Sequence, residues 1–365
     1  MRITLCVDAL GPSLGGIGRY TWQLYQGLTR NSEISLQCYD RNRIIRDPPA
    51  LLRSKDPMPW WQRWNKIARW REIRSLSEGL VHGANYFLPP FAKKGVITVH
   101  DLSVFRYPET HPAERHKQFE RKFHSSLSRA TRIITDTATV RDELINDFGL
   151  PPERVDVVHL GVDDRFGAID EATVQAALGP QLRAKQYGLC VSTLEPRKKI
   201  AELLAAWRRL PPPLRLRFPM VLAGSPGWLT ESLHEQIREY SREGWLTYLG
   251  YVDEAALPAL YAGAALFVYP SAYEGFGLPP LEAMASGTPT IVSSRSCLPE
   301  ICGDAAGYID PDNPDEFVEA IVKGLTDEIW QTEARRRGLD RASQFGWDRC
   351  VEDTLDVYRK AMSLN

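Results

Sequence analysis

The chain has 365 residues, a formal net charge of −1, 43% hydrophobic and 25% charged side chains. That composition belongs to a globular protein and excludes collagen-like, low-complexity or disordered chains. No leader pattern opens the chain, no apolar run approaches the roughly 18 residues of a membrane span, and the length exceeds one ordinary core, so two domains are expected.

Charge is unevenly divided. Residues 1–165 carry 25 Lys and Arg against 19 Asp and Glu, and the remainder carries 20 against 27. The six cysteines (6, 38, 190, 297, 302 and 350) form no Cys-x-x-Cys pair and no zinc spacing. Cys6 and Cys190 lie inside apolar runs, which points to buried thiols in a reducing, cytoplasmic compartment.

In chain order, strands are expected near 2–9, 35–39, 79–83, 95–100, 131–135 and 155–160, with helices near 17–29, 61–77, 113–129 and 137–148. Such alternation predicts an α/β domain with a doubly wound parallel sheet. The first strand runs into Gly11-Pro12-Ser13-Leu14-Gly15-Gly16-Ile17-Gly18-Arg19. Glycines there let a ligand approach the backbone, yet Gly-x-Gly-x-x-Gly is absent and a structural glycine turn explains the loop equally well. Residues 53–74 hold Trp60, Trp61, Trp64 and Trp70 among seven basic residues, including Arg63 and Lys66, with only Asp56 and Glu72 acidic. That is the composition of a membrane-surface segment, or of tryptophans in a core with the charges in water. No nucleic-acid module accompanies it. The strand at 95–100 ends in His100-Asp101, and His82 ends another strand. The remaining histidines match no ligand spacing, so no metal is expected.

The domain boundary is expected after Gly161-Val162-Asp163, giving domains at 1–163 and 164–346, with 347–365 returning to the first. The second half repeats the pattern, with strands near 187–193, 219–224, 246–249, 265–269, 289–293 and 307–309 and helices near 199–208, 229–242, 255–262, 280–286 and 314–325. Beyond its first strand lies Glu195-Pro196-Arg197-Lys198-Lys199. A positioned Arg–Lys pair suits the charge of a departing diphosphate, although the same residues also read as a solvated basic helix start. Gly250-Tyr251-Val252 forms a strand-to-helix turn. The apolar run 265–269 leads into Glu274-Gly275-Phe276-Gly277-Leu278-Pro279-Pro280-Leu281-Glu282. Glu274 is expected beyond the carboxyl end of a strand. Glu282 is expected in the first helical turn, where an acid could equally serve the helix dipole.

This last stretch resembles the Glu-x7-Glu signature of the family-4 retaining glycosyltransferases, which have the two-domain GT-B fold. The Gly-Gly loop, His-Asp and Arg-Lys stretches occur in the family's order, so the resemblance spans nearly the whole chain. It implies two Rossmann-like domains facing a cleft that closes over a nucleotide sugar, with no cofactor beyond that co-substrate. It assigns His100, Arg197, Lys198 and Glu274 to the chemistry. Glu282 is placed on the nucleotide ribose, and Gly15, Gly16, Asp101, Tyr251, Val252, Gly275, Phe276, Gly277 and Leu278 on substrate. Lys199 stands where the family motif has Asn. The wording resembles bacterial mannosyltransferases of O-antigen or related polysaccharide assembly, which implies GDP-mannose as donor and a lipid-linked oligosaccharide as acceptor. The enzyme would then rest on the inner face of the membrane through Trp60, Trp61, Trp64, Arg63 and Lys66. A sugar-nucleotide 2-epimerase of similar architecture and a non-catalytic nucleotide-sugar-binding protein are the alternatives.

Overall fold

The computed structural model describes residues 1–53, 73, 76–108, 113–227 and 231–364. It divides into two compact units, Met1–Gly161 with Gly346–Asn365, and Val162–Phe345. Each is α/β and built on its own sheet. The helix expected near 61–77 lies almost wholly outside the described residues, as do Trp60, Trp61, Trp64, Arg63 and Lys66.

The first sheet contains β1 (Arg2–Cys6), β2 (Ser35–Asp40), β3 (Arg43–Ile45), β4 (Leu80–Gly83), β5 (Gly95–Val99), β6 (Ala130–Thr135) and β7 (Val155–Val157). Its order is β3-β2-β1-β4-β5-β6-β7, parallel except for β3. Every residue of β4 and β5 is buried, as expected of strands covered on both faces. β3 is a departure from the sequence reading. It folds back on β2 through Arg41 and Asn42, both at positive φ, in a two-residue turn without the usual glycine.

Helix Trp347–Ser363 belongs to this unit. Its Tyr358 hydroxyl meets His82 Nδ1 at 2.7 Å, and His82 Nε2 meets Thr98 Oγ1 at 2.8 Å, which in turn meets Tyr20 at 2.8 Å. Burial, aided by nearby His100, lowers the His82 pKa to about 3, so this histidine is a neutral link in a core network. All six cysteines are free and buried.

The second sheet comprises β8 (Gly188–Val191), β9 (Met220–Ala223), β10 (Leu246–Tyr248), β11 (Leu266–Tyr269), β12 (Thr290–Ser293) and β13 (Gly307–Ile309). Its order is β10-β9-β8-β11-β12-β13, parallel throughout. The chain winds outward from β8 through β9 to β10, then restarts on the other side at β11. In an open α/β sheet, ligands bind beyond the carboxyl ends of the strands at such a reversal, here β8 and β11.

Candidate active site

The loop after β8 delivers two cations to that reversal. A 3-10 turn, Pro196–Lys198, is followed by Lys199 at φ 55° and then by helix Ile200–Arg208. Lys198 is buried at 7% exposure, and the Arg197 side chain is 12% exposed. The alternative of a solvated basic helix start is thereby overturned for both.

The loop after β11 brings the counter-charge. Glu274 is buried, with Oε1 2.5 Å from Lys198 Nζ and 2.8 Å from the Tyr269 hydroxyl, while Oε2 lies 3.5 Å from Arg197 Nη1. Burial alone would raise its pKa. The charges of Lys198 and Arg197 outweigh that and hold the carboxyl at about 2. Burial and the neighbouring carboxylate push the Tyr269 pKa upward, so its phenol stays neutral and donates. The Glu274 backbone is pinned as well. Its N–H donates to Ser296 Oγ (3.2 Å), and its carbonyl accepts from the Ser296 hydroxyl (2.8 Å) and the Cys297 thiol (3.2 Å). Arg197 also donates to the Tyr273 carbonyl and pairs with Glu195 at 3.3 Å. Two cations and two carboxylates, Glu274 and Glu195, therefore share this buried cluster, and an anion that reaches Arg197 and Lys198 competes with those carboxylates.

Helix Leu278–Ala285 follows directly. Gly277 precedes it at φ 101°, a conformation that strongly favours glycine. Gly287, at φ 69°, closes it: its N–H bonds the Met284 carbonyl (2.9 Å) and that of Thr288 bonds the Ala283 carbonyl (3.0 Å). The helix starts two residues before its expected first residue, so Glu282 sits in the second turn and not the first. Pro279 and Pro280 occupy the first turn without N–H groups, leaving anion-binding N–H groups there to Leu278 and the preceding loop. Gly275, Phe276, Gly277 and Leu278 are all buried. Glu282 is 2% exposed and accepts from the Tyr261 hydroxyl at 2.8 Å. Tyr251, following Gly250 after β10, is 49% exposed, and Val252 is half-buried. The Gly250 carbonyl already accepts from the Gly224 N–H at 2.7 Å.

In the first unit the order also reverses, between β1 and β4. Gly15 caps helix Gly16–Arg30 with extended backbone, and a Cβ there would meet nothing within 4 Å, whereas one at Gly18 would press on Ala9 and Leu14 at 3.0 Å. Gly18 is thus a packing glycine, while the space beside Gly15 is open.

His100 is buried, with Nδ1 2.8 Å from Asp136 Oδ2 and Nε2 2.9 Å from the Ala84 carbonyl. Burial works to lower its pKa, but Asp136 and the carbonyl outweigh it and raise the value. Both ring nitrogens are thus engaged, Nε2 by the Ala84 carbonyl and Nδ1 by Asp136, which fixes the orientation of the ring. The adjacent Asp101 turns elsewhere: Oδ1 accepts from the Ser103 N–H (2.9 Å), the Ser103 hydroxyl (2.7 Å) and the Tyr86 hydroxyl (3.2 Å). The sequence pair His100-Asp101 is therefore not the charge pair. Asp136, missed in the sequence, is the partner, and no local pattern could have revealed a residue 36 positions away. Tyr261 and Ser296, 21 and 22 positions from the glutamates they hold, were missed for the same reason, whereas Tyr269, five positions before Glu274, read only as part of an apolar strand.

Comparison with known proteins gives this geometry a family. Residues 181–342 match the model described as "Glycosyl transferases group 1", and residues 14–166 match "Glycosyltransferase Family 4". O-antigen chain mannosyltransferase B of Escherichia coli is 35% identical over 98% of this chain and 100% of its own length. Among solved structures, sucrose-phosphate synthase of Thermosynechococcus elongatus superposes with TM-score 0.76 at 21% identity, covering 100% of both chains. The Anabaena HepE complex with UDP and glucose superposes with TM-score 0.75 at 17% identity, covering 99% of this chain and 100% of that one. The chain belongs to the group 1 and family 4 glycosyltransferases, is a glycosyltransferase, and has their GT-B fold.

Proposed function

We propose that the enzyme transfers mannose from GDP-mannose, with retention of anomeric configuration, onto a lipid-linked oligosaccharide in O-antigen or related polysaccharide assembly. The mannosyl and O-antigen parts of this reading follow the name of the E. coli relative. The observation that carries the chemistry is the buried Arg197–Lys198 pair at the β8–β11 reversal. Fixed cations in a dry site stabilise developing diphosphate charge without reorganising. Arg197 and Lys198 receive the diphosphate, Glu274 orients the sugar, and Glu282 holds the ribose hydroxyls. Tyr251 and Val252 border the nucleobase, and Gly275–Leu278 supply backbone to the phosphates. In the first unit, the family resemblance proposes Gly15, Gly16, His100 and Asp101 for substrate; the space beside Gly15 is open, His100 is held by Asp136 and the Ala84 carbonyl, and Asp101 shapes the loop that follows it. In the transfer, the bond from the anomeric carbon to the diphosphate breaks. The acceptor oxygen bonds on the same face, and its proton passes to the departing phosphate.

Glu282→Ala should weaken GDP binding about 10- to 100-fold, the size expected for a hydrogen bond to a buried charged group. Calorimetry with GDP in EDTA measures this, and an unchanged affinity in a folded variant removes Glu282 from the ribose. A panel of nucleotide sugars in the same experiment identifies the donor.

A lipid-linked acceptor calls for residence at the membrane, although no helix among the described residues is long and apolar enough to cross one. Helix Ala113–Arg129 exposes Lys117, Arg121 and Lys122. Arg129, by contrast, is spent on the carbonyls of Leu88, Pro89 and Ala92, and Arg132 pairs with Asp156 at 2.6 Å. Each exposed cation adds about 1 kcal/mol of attraction to an anionic surface. Co-sedimentation should therefore require anionic vesicles and weaken with salt; binding indifferent to both contradicts this attachment.

A further inference from the structure

Lys199 is the residue at which this chain departs from the wording of its motif, and its surroundings are unusual. It adopts φ 55°, ψ 35°, a left-handed conformation that asparagine tolerates far better than lysine. Its ammonium lies 2.9 Å from Glu202 Oε1 in the helix it opens and 2.8 Å from Asp312 Oδ1. Asp312 belongs to the loop after β13 and meets Arg295, from the loop after β12, at 2.7 Å; Arg295 also pairs with Asp310 at 2.5 Å. The next residue, Ser296, has φ 58° and is the one whose hydroxyl grips both backbone groups of Glu274.

Beside the ties that Arg197 makes to Glu274, to the Tyr273 carbonyl and, through its own carbonyl, to the Ala272 N–H, two further connections run between Lys198 and Glu274. One is their direct 2.5 Å ion pair. The other is an outer circuit through Lys199, Asp312, Arg295 and Ser296, tying together the loops after β8, β13, β12 and β11. An anion arriving on Lys198 competes with Glu274 for that ammonium and loosens the direct connection. The charged side chains of the outer circuit pair with one another and with Glu202 and Asp310, away from the Lys198 ammonium.

We propose that Lys199, Asp312 and Arg295 form a positioning clamp that keeps the Arg197–Lys198 loop and the Glu274 loop in register while the direct ion pair is opened by bound diphosphate. The proposal rests on the reading of Arg197 and Lys198 as the diphosphate site. None of the three clamp side chains bonds Arg197, Lys198 or the Glu274 carboxylate. Their side chains are 23%, 46% and 36% exposed, so high salt weakens the circuit while sparing the buried pair.

The test compares Lys199→Met, Lys199→Asn, Asp312→Asn and the double variant Lys199→Met/Asp312→Asn, with Lys198→Met alongside. For a clamp, each single variant lowers kcat about tenfold, and the double variant is no slower than either single one, since both cut the same connection. Lys199→Asn, which relieves the backbone but lacks the charge, must be as slow as Lys199→Met. Recovery of wild-type turnover by Lys199→Asn, multiplying losses in the double variant, or single-variant rates within twofold of wild type each overturn the clamp. Thermal melting of each variant shows whether a loss of rate is merely a loss of fold; the double variant then decides, because unfolding losses accumulate and a severed clamp cannot be severed twice. If Lys198→Met keeps wild-type turnover, the diphosphate reading itself fails. If only Lys198→Met is impaired, the clamp alone fails.

Discussion

Lys198→Met should reduce turnover about 100- to 1000-fold, the loss seen when one preorganised charge stabiliser is removed from a dry site. The substitution keeps the volume of the side chain and removes its charge. Glu274 then keeps the Tyr269 hydroxyl at 2.8 Å and Arg197 at 3.5 Å, so it is not stranded. The roughly 3–5 kcal/mol lost when a buried pair is broken is consequently an upper bound on the destabilisation. Adding Glu274→Gln should return part of the lost stability by removing a carboxylate left with fewer partners, without returning activity. A steady-state assay beside a thermal melt separates the two effects. Turnover within a few-fold of wild type, in a folded Lys198→Met protein, contradicts the role.

Glu274→Gln alone should give the opposite pattern for binding and for rate. The carboxylate competes with the diphosphate for the same two cations, so its neutralisation should tighten GDP binding while transfer falls, because the sugar loses an oriented acceptor. The same variant reports on acid stability. A carboxyl held at about 2, against an ordinary 4.5, contributes fully above about pH 4.5 and loses its contribution as pH falls through 2. That difference corresponds to roughly 3 kcal/mol. Wild type should therefore lose stability steeply between about pH 4.5 and 2, and Glu274→Gln should have a shallower slope there. GDP affinity that drops in Glu274→Gln, or equal acid slopes in the two proteins, argues against a carboxylate clamped between Lys198 and Arg197.

Much of the fold was legible because buried parallel strands read as apolar runs, unbroken in β8, β9 and β11 and interrupted only by Thr98 in β5. The motifs that open onto the sheet edge were legible because turn glycines, prolines and charges break those runs. Other features gave no such signal. Helix Glu328–Ala342 went unread because its buried face is Ala334, Gly338 and Ala342, small residues that produce no apolar periodicity. Gly338 lets the helix lie against Met284, where an added Cβ would come within 3.3 Å. The β2–β3 turn lacks glycine and resembles ordinary polar loop. The extent of β1 was over-read to residue 9 because Val7 is still apolar and still bonds the Tyr39 carbonyl at 2.9 Å, although the ladder ends at Cys6. Site partners brought from other strands, Asp136 on His100 and Ser296 on Glu274, depend on tertiary structure alone. Lys199, which stands where the family motif has Asn, carried no assigned role in the sequence, and only its left-handed backbone and its distance to Asp312 give it a use.

The most direct test of the account is a calorimetric titration of GDP, in EDTA, into wild-type protein and into Lys198→Met. The account predicts that wild type binds without added metal and that the variant binds at least about tenfold more weakly while melting cooperatively. Equal affinity in the two proteins would contradict the assignment of the β8–β11 reversal as the diphosphate site.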